Sequence, residues 1–135
     1  MKYSFNVFVL SIVFVLFHSC SNINGVSIDE VFLIKTTQKN SYHLEDTPYT
    51  GRVYEYFPDT EILKQEFNVL DGFLSGLCNE YYVDGVLKSS ISYEKGILNG
   101  LSQKYYQNGQ LKESVNYSQG NFNGKRMVYW SNGIL

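Results

Sequence analysis

Glycines at positions 76, 100 and 124 stand 24 residues apart, and Gly51 precedes the first of them by 25. A period of this length marks a repeat architecture, in which each unit is one supersecondary motif that cannot bury its apolar face alone and stacks on its neighbours. Counted from these glycines, the units are 51–75, 76–99, 100–123 and a partial 124–135. They agree position by position. Five residues after each glycine stands Tyr56, Tyr81, Tyr105 or Tyr129, and the next residue is always aromatic, as Phe57, Tyr82, Tyr106 or Trp130.

Asp84-Gly85, Asn108-Gly109 and Asn132-Gly133 follow, each between strand-like residues. Such dipeptides are the strongest short hairpin signal, because a type I′ turn needs φ > 0 at both central residues. Two-residue type I′ turns are therefore predicted there. The first unit carries Pro58-Asp59-Thr60-Glu61 instead, which with its inserted residue predicts a longer turn. A second glycine connection, Asp71-Gly72, Lys95-Gly96 or Gln119-Gly120, completes each full unit. The repeat framework thus rests on Gly51, Gly76, Gly85, Gly100, Gly109, Gly124 and Gly133.

A two-residue turn fixes the register, since residues pair outward from it. In the second unit it sets Tyr82 opposite Leu87, Tyr81 opposite Lys88, Cys78 opposite Ile91 and Gly76 opposite Tyr93. Alternation then sorts the side chains into two faces. An apolar face carries Phe57, Tyr82, Tyr106 and Trp130 with Leu63, Leu87, Leu111, Phe67, Ile91 and Val115. The other carries a stripe of Tyr56, Tyr81 and Tyr105 beside Lys64, Lys88 and Lys112. A repeat glycine opposite a tyrosine lets that ring lie across bare backbone. Aromatics make up 16% of the chain, with 12 Tyr and 9 Phe, and they suit the pleated, half-buried surface of a sheet. The expected fold is all-β: an elongated antiparallel sheet of tandem β-hairpins, each adding about 10 Å.

An N-terminal signal segment precedes it. Residues 1–19 hold Lys2, then a 13-residue apolar stretch from Phe5 to Phe17, then small and polar residues. This is secretory signal anatomy, and the stretch is shorter than the roughly 18 residues of a spanning helix. Phe17-His18-Ser19-Cys20 resembles the lipobox of bacterial lipoproteins, whose cysteine is acylated and becomes the first mature residue; Ser19 fits, while Phe17 and His18 depart from it. The resemblance implies a lipid on Cys20, worth about 0.8 kcal/mol per buried methylene. An uncleaved or differently cut signal is the other reading. With Cys20 acylated, Cys78 has no intrachain partner and reads as a small apolar strand residue. Residues 20–50 form a lead-in and N-terminal cap, with a strand at Val31-Phe32-Leu33-Ile34.

The G-x4-[YF]-[YFW]-x-[DN]-G-x-L-K core of residues 51–135 resembles the MORN repeat family, in the bacterial variant known as YwqK-like antitoxin. The resemblance implies a β-hairpin solenoid with no catalytic residues, associated with scaffolding, membrane-proximal localisation and, for the bacterial variant, an antitoxin role.

The residues point away from most chemistry. Eleven basic against 13 acidic groups, net −2, lack the basic excess of a nucleic-acid binder. His43, alone after the signal, reads as an exposed loop residue, so neither a metal cage nor a catalytic triad is drawn from it. No glycine precedes a helix pattern, which excludes a phosphate loop. Glu55 and Glu80 occupy equivalent positions about 10 Å apart, against roughly 6.5–9.5 Å in inverting glycosidases. Lys104 and Val128 fill the same position, so no catalytic role, metal or cofactor is expected.

The expected function is a non-enzymatic protein-binding or scaffold module with an unidentified protein partner. The expected location is the bacterial cell envelope, lipid-anchored on the periplasmic or extracellular side. Tyr56, Lys64, Tyr81, Lys88, Tyr105 and Lys112 form the candidate binding face. The competing reading is a structural cross-strand pair, with each lysine stem lying on a ring. The alternatives in function are an antitoxin-like immunity protein that neutralises a toxin by binding, and lipid binding at a membrane surface through the lysines. The apolar face needs a cover from residues 26–50, from sheet twist or from a partner. The last unit stops at Leu135, so its edge could accept a strand from another chain.

Overall fold

A computed structural model describes residues 25–35 and 40–132. The expected signal segment 1–19, the expected lipidation site Cys20 and Gly133 lie outside the described residues. The described chain is all-β apart from one 3-10 turn, Ile28–Glu30. The lead-in holds β1 (Val26–Ser27), β2 (Phe32–Lys35), β3 (Asn40–Leu44) and β4 (Thr47–Pro48). The repeats hold β5 (Gly51–Tyr56), β6 (Leu63–Leu70), β7 (Phe73–Tyr81), β8 (Leu87–Glu94), β9 (Ile97–Tyr105), β10 (Leu111–Ser118), β11 (Asn121–Phe122) and β12 (Met127–Val128). With β1 these form one nine-stranded sheet in the order β1-β5-β6-β7-β8-β9-β10-β11, with β12 also on β10, while β2, β3 and β4 make a separate three-stranded sheet in that order. Every pair is antiparallel except β1 with β5.

The turns divide the labour differently from the sequence expectation. At Tyr82–Gly85 the Gly85 amide donates to the Tyr82 carbonyl at 2.9 Å and the Tyr82 amide to Val86 at 2.8 Å, with the same pattern at Tyr106–Gly109. Only the glycine has positive φ, 83° at Gly85 and 81° at Gly109. These loops therefore have three residues, a turn closed by one left-handed glycine, and are not two-residue type I′ turns. The type I′ signature belongs to the other connections. Asp71-Gly72, Lys95-Gly96 and Gln119-Gly120 have positive φ at both residues, and their flanks pair as Leu70 with Phe73, Glu94 with Ile97 and Ser118 with Asn121. In the first unit Phe57 donates to Ile62 at 2.9 Å, so Pro58–Glu61 makes a loop one residue longer.

A three-residue loop offsets the register by one, and a β-bulge restores it. Tyr81 faces Leu87, but Glu80 faces Ser89, so Lys88 is the extra residue. Lys64 and Lys112 are skipped in the same way. Beyond each bulge the predicted pairs hold: Cys78 with Ile91 and Gly76 with Tyr93. Two further residues are extruded around each repeat glycine, between Ile91–Ser102 and Tyr93–Leu98 in one case. Gly76, Gly100 and Gly124 have φ of 82°, 102° and 97°, a conformation that a Cβ disfavours. Gly76 owes its place to that bulge and not to the ring of Tyr93, because a Cβ there would meet nothing within 4 Å.

One face carries the cross-strand row Val53–Phe67–Cys78–Ile91–Ser102–Val115. The lead-in covers its first half. Ser27 and Glu30 form a capping box that starts the 3-10 turn. Val31 then joins Val53, Phe67 and Val69 in the buried core, with Ile28, Tyr42, Tyr49 and Leu74 packed around it. The Tyr42 and Phe67 rings lie 5.1 Å apart. Gly72 fastens the two sheets: its amide donates to Tyr49 at 2.8 Å and its carbonyl accepts from Tyr42 at 2.7 Å. Among the described residues this cluster reaches no further than β7, so the later units form a single layer.

Candidate functional site

The bulges decide which side chains share a face. Glu55 pairs with Gln65 and Glu80 with Ser89, so these lie on the Val53–Phe67 face. Lys64 reaches Glu55 at 2.6 Å and Lys88 reaches Glu80 at 2.7 Å, which places both lysines there as well. Lys112 lies with its Nζ 5.3 Å from the Tyr106 ring centroid. Tyr81 points the other way, with its hydroxyl donating to Glu66 at 2.7 Å. The expected stripe of Tyr56, Tyr81 and Tyr105 beside Lys64, Lys88 and Lys112 is thus split. The extra residue in each strand turns the lysine onto the face opposite its tyrosine. The same offset puts Leu63, Leu87 and Leu111 opposite Tyr56, Tyr81 and Tyr105, away from the face expected for them.

The tyrosine face is organised by a carboxylate. Glu66 accepts from Arg52, from the Tyr81 hydroxyl and from Asn79 Nδ2 at 3.3 Å. Burial pushes its carboxyl up, yet these three donors and the Arg52 charge outweigh that and hold it below the ordinary range. Tyr81 is pushed up to about 12 by burial, by its hydrogen bond to Glu66 and by the Glu66 charge. Beside this network Arg52, Asn68, Leu77 and Asn79 line a cleft of about 360 Å3. Tyr54 and Tyr56 meet edge to face at 5.5 Å, and Tyr105 donates to Gln103 at 3.2 Å. Leu77 and Leu101, at equivalent positions of successive units, stand 52% and 46% exposed.

On the lysine face the charges interlock along the strands. Glu113 binds Lys104 at 3.1 Å and also Arg126, and its carboxyl is held low by hydrogen bonds from Arg126 and Lys104. The Tyr82 hydroxyl donates to the Tyr105 carbonyl and that of Tyr106 to the Tyr129 carbonyl, each at 2.9 Å. These bonds tie each unit to the next. Phe57 has no hydroxyl to make the first of the series.

His43 lies in β3 and not in a loop: it pairs with Phe32 and Pro48, its Nε2 sits 3.1 Å from Ser41 Oγ, and its Nδ1 is buried without a partner. Its strand was hidden in the sequence because Asn40, Ser41 and His43 lack strand-type apolarity. Cys78 packs on the core as a free thiol, and burial, reinforced by the Glu80 charge, pushes it up to about 11. The described residues contain no group of three or more His, Cys, Asp or Glu side chains able to hold a metal ion. They also contain no helix long and apolar enough to cross a membrane.

Arg52, Glu66 and Asn79 escaped the sequence reading because their partners sit 13 or more residues away across strands. Glu113 was legible in principle, as an acid appearing where the earlier units have Gln65 and Ser89 just when Lys104 replaces their Glu55 and Glu80. No family model, curated protein or solved structure matches the chain.

Proposed function

We propose that this is a MORN-type β-hairpin repeat protein acting as a non-enzymatic protein-binding or scaffold module at the bacterial cell envelope, tethered by lipid on Cys20. The repeats supply a stiff single-layer sheet whose later units leave both faces open to a partner among the described residues. The observation that carries the reading is the periodic exposure of Leu77 and Leu101 beside the tyrosine network. Two strands of spacing put such positions about 10 Å apart, and apolar side chains repeated at that interval on a rigid surface suit a protein interface. The resemblance of the repeat core to the MORN family supports the same reading. The lysines support a membrane-surface role less, since Lys64 and Lys88 already hold carboxylates.

A photo-crosslinking residue at Leu77 or Leu101, introduced into the full chain in bacterial cells, tests the interface. One discrete adduct at both positions, absent when the probe sits at the turn residue Pro58, is expected. Uniform absence of adducts at both positions removes the interface. Intact-mass analysis of wild type and Cys20→Ser tests the tether: acyl mass lost in the variant is expected, and an unacylated wild-type chain removes it.

A further inference from the structure

The bulge lysines are neutralised unit by unit until the third. Glu55 holds Lys64 and Glu80 holds Lys88, each carboxylate coming from the strand before the turn. In the third unit the corresponding position is Lys104, and the acid has moved across the strand pair to Glu113. Glu113 is already engaged by Lys104 and Arg126. The bulge lysine Lys112 therefore meets the Tyr106 ring where its predecessors meet a carboxylate. Lys88, Lys104, Lys112 and Arg126 against Glu80 and Glu113 sum to +2, in a chain whose net charge is −2. Lys88, Lys104 and Lys112 line a cleft of about 210 Å3 at this point together with Tyr82, Ser89, Ile91 and Glu80, whose carboxylate is taken up by Lys88.

We infer that this cleft receives a carboxylate side chain from an acidic peptide segment of a protein partner, which takes at Lys112 the place that Glu55 and Glu80 take in the first two units. The inference deepens the protein-binding reading and rests on it. The sheet itself shows the preferred ligand chemistry, since two of its three equivalent sites are filled by carboxylates. Ile91 and the Tyr82 ring give the cleft an apolar wall for the residues flanking the acid. A charge-assisted contact to an ammonium over an aromatic face combines ion pairing with a cation–π contribution.

The test measures fluorescence anisotropy of a labelled, end-blocked hexaglutamate peptide with the full chain in a non-ionic detergent. Hexaglutamine serves as the uncharged comparison. Hexaglutamate binds, hexaglutamine does not, and binding weakens as salt shortens the Debye length. Lys112→Gln weakens binding about tenfold. The pair Lys104→Glu with Glu113→Gln copies the first unit's Glu55 and Gln65, gives Lys112 an internal carboxylate, and weakens binding at least as much with an unchanged circular dichroism spectrum. Lys95→Gln, in a connecting turn outside the cleft and matching Gln119 of the next unit, leaves binding as it was.

Equal binding by Lys112→Gln, or by the pair-restoring variant, overturns the inference. So does tighter, Lys112-dependent binding to phosphatidylglycerol vesicles than to the peptide, which would assign the cleft to lipid headgroups. If hexaglutamate fails while the crosslinks at Leu77 and Leu101 persist, the cleft falls and the protein-binding reading stands. Failure of both removes both.

Discussion

Phe67→Ala tests whether the lead-in and the first repeats share one core. Phe67 is 4% exposed between Val53 and Cys78 on the neighbouring strands, with the Tyr42 ring 5.1 Å above it. Truncating a buried phenylalanine costs about 3–5 kcal/mol through lost transfer energy and an unfilled cavity. The lost ring pair adds about 0.5–1.5 kcal/mol when not already counted in that range. The cover over Phe67 is one short sheet that can settle inward, so the lower end, about 3 kcal/mol, is expected. With a urea m-value of about 1–3 kcal/mol/M, the midpoint falls by about 1–3 M. Urea unfolding followed by circular dichroism reads the shift. Val115→Ala, in the same cross-strand row but beyond the cap, should cost about 1–2 kcal/mol, because only two methyl groups leave. A Phe67→Ala cost under about 1 kcal/mol would refute the shared core.

Three further outcomes follow from local geometry. Lys95 and Gln119 hold φ of 49° and 52° at the first position of type I′ turns, so Lys95→Asn and Gln119→Asn should each raise stability by about 0.5–1 kcal/mol in urea unfolding; a loss would show that these turns are read wrongly. Tyr82→Phe and Tyr106→Phe each remove one bond between units, at about 0.5–1.5 kcal/mol apiece and close to additively. A double-variant cost no larger than either single one would show that they do not act separately. Because the Glu66 carboxyl is lower in the folded chain, its contribution to stability is present above the ordinary unfolded value near pH 4.5 and fades as pH falls through the folded value. Glu66→Gln should therefore flatten the acid limb of the stability profile, and an unchanged limb would place the acid sensitivity elsewhere.

Repeat boundaries, the all-β class and the outer strand register were legible in the residues, because they depend on spacing and alternation that any antiparallel hairpin obeys. Cys78 faces Ile91 as counted, because the bulge at Lys88 cancels the extra residue of the loop. The turn types were not legible. Asp-Gly and Asn-Gly suit either a type I′ turn or a left-handed glycine closing a longer loop, and the backbone takes the first form at Asp71-Gly72 and the second at Asp84-Gly85 and Asn108-Gly109. It gives the type I′ form to Lys95-Gly96 and Gln119-Gly120, whose first residues carry no such preference.

What the sequence by itself determined was thus the ladder of hairpins and, beyond the bulges, which residues meet within each; what the tertiary structure decided was the pairing next to the turns and where the side chains point. The change of face comes from one bulge per unit, placing Lys64, Lys88 and Lys112 away from Tyr56, Tyr81 and Tyr105. A sequence cannot announce it, because a strand's periodicity reads the same on either side of an extra residue until its partner strand is in place. The cap was likewise decided in three dimensions: Val31, Tyr42 and Tyr49 cover Val53 and Phe67 where the Gly72 backbone bonds to Tyr42 and Tyr49 across the two sheets. The same holds for Lys112, whose missing carboxylate is visible only once Glu113 is seen held between Lys104 and Arg126.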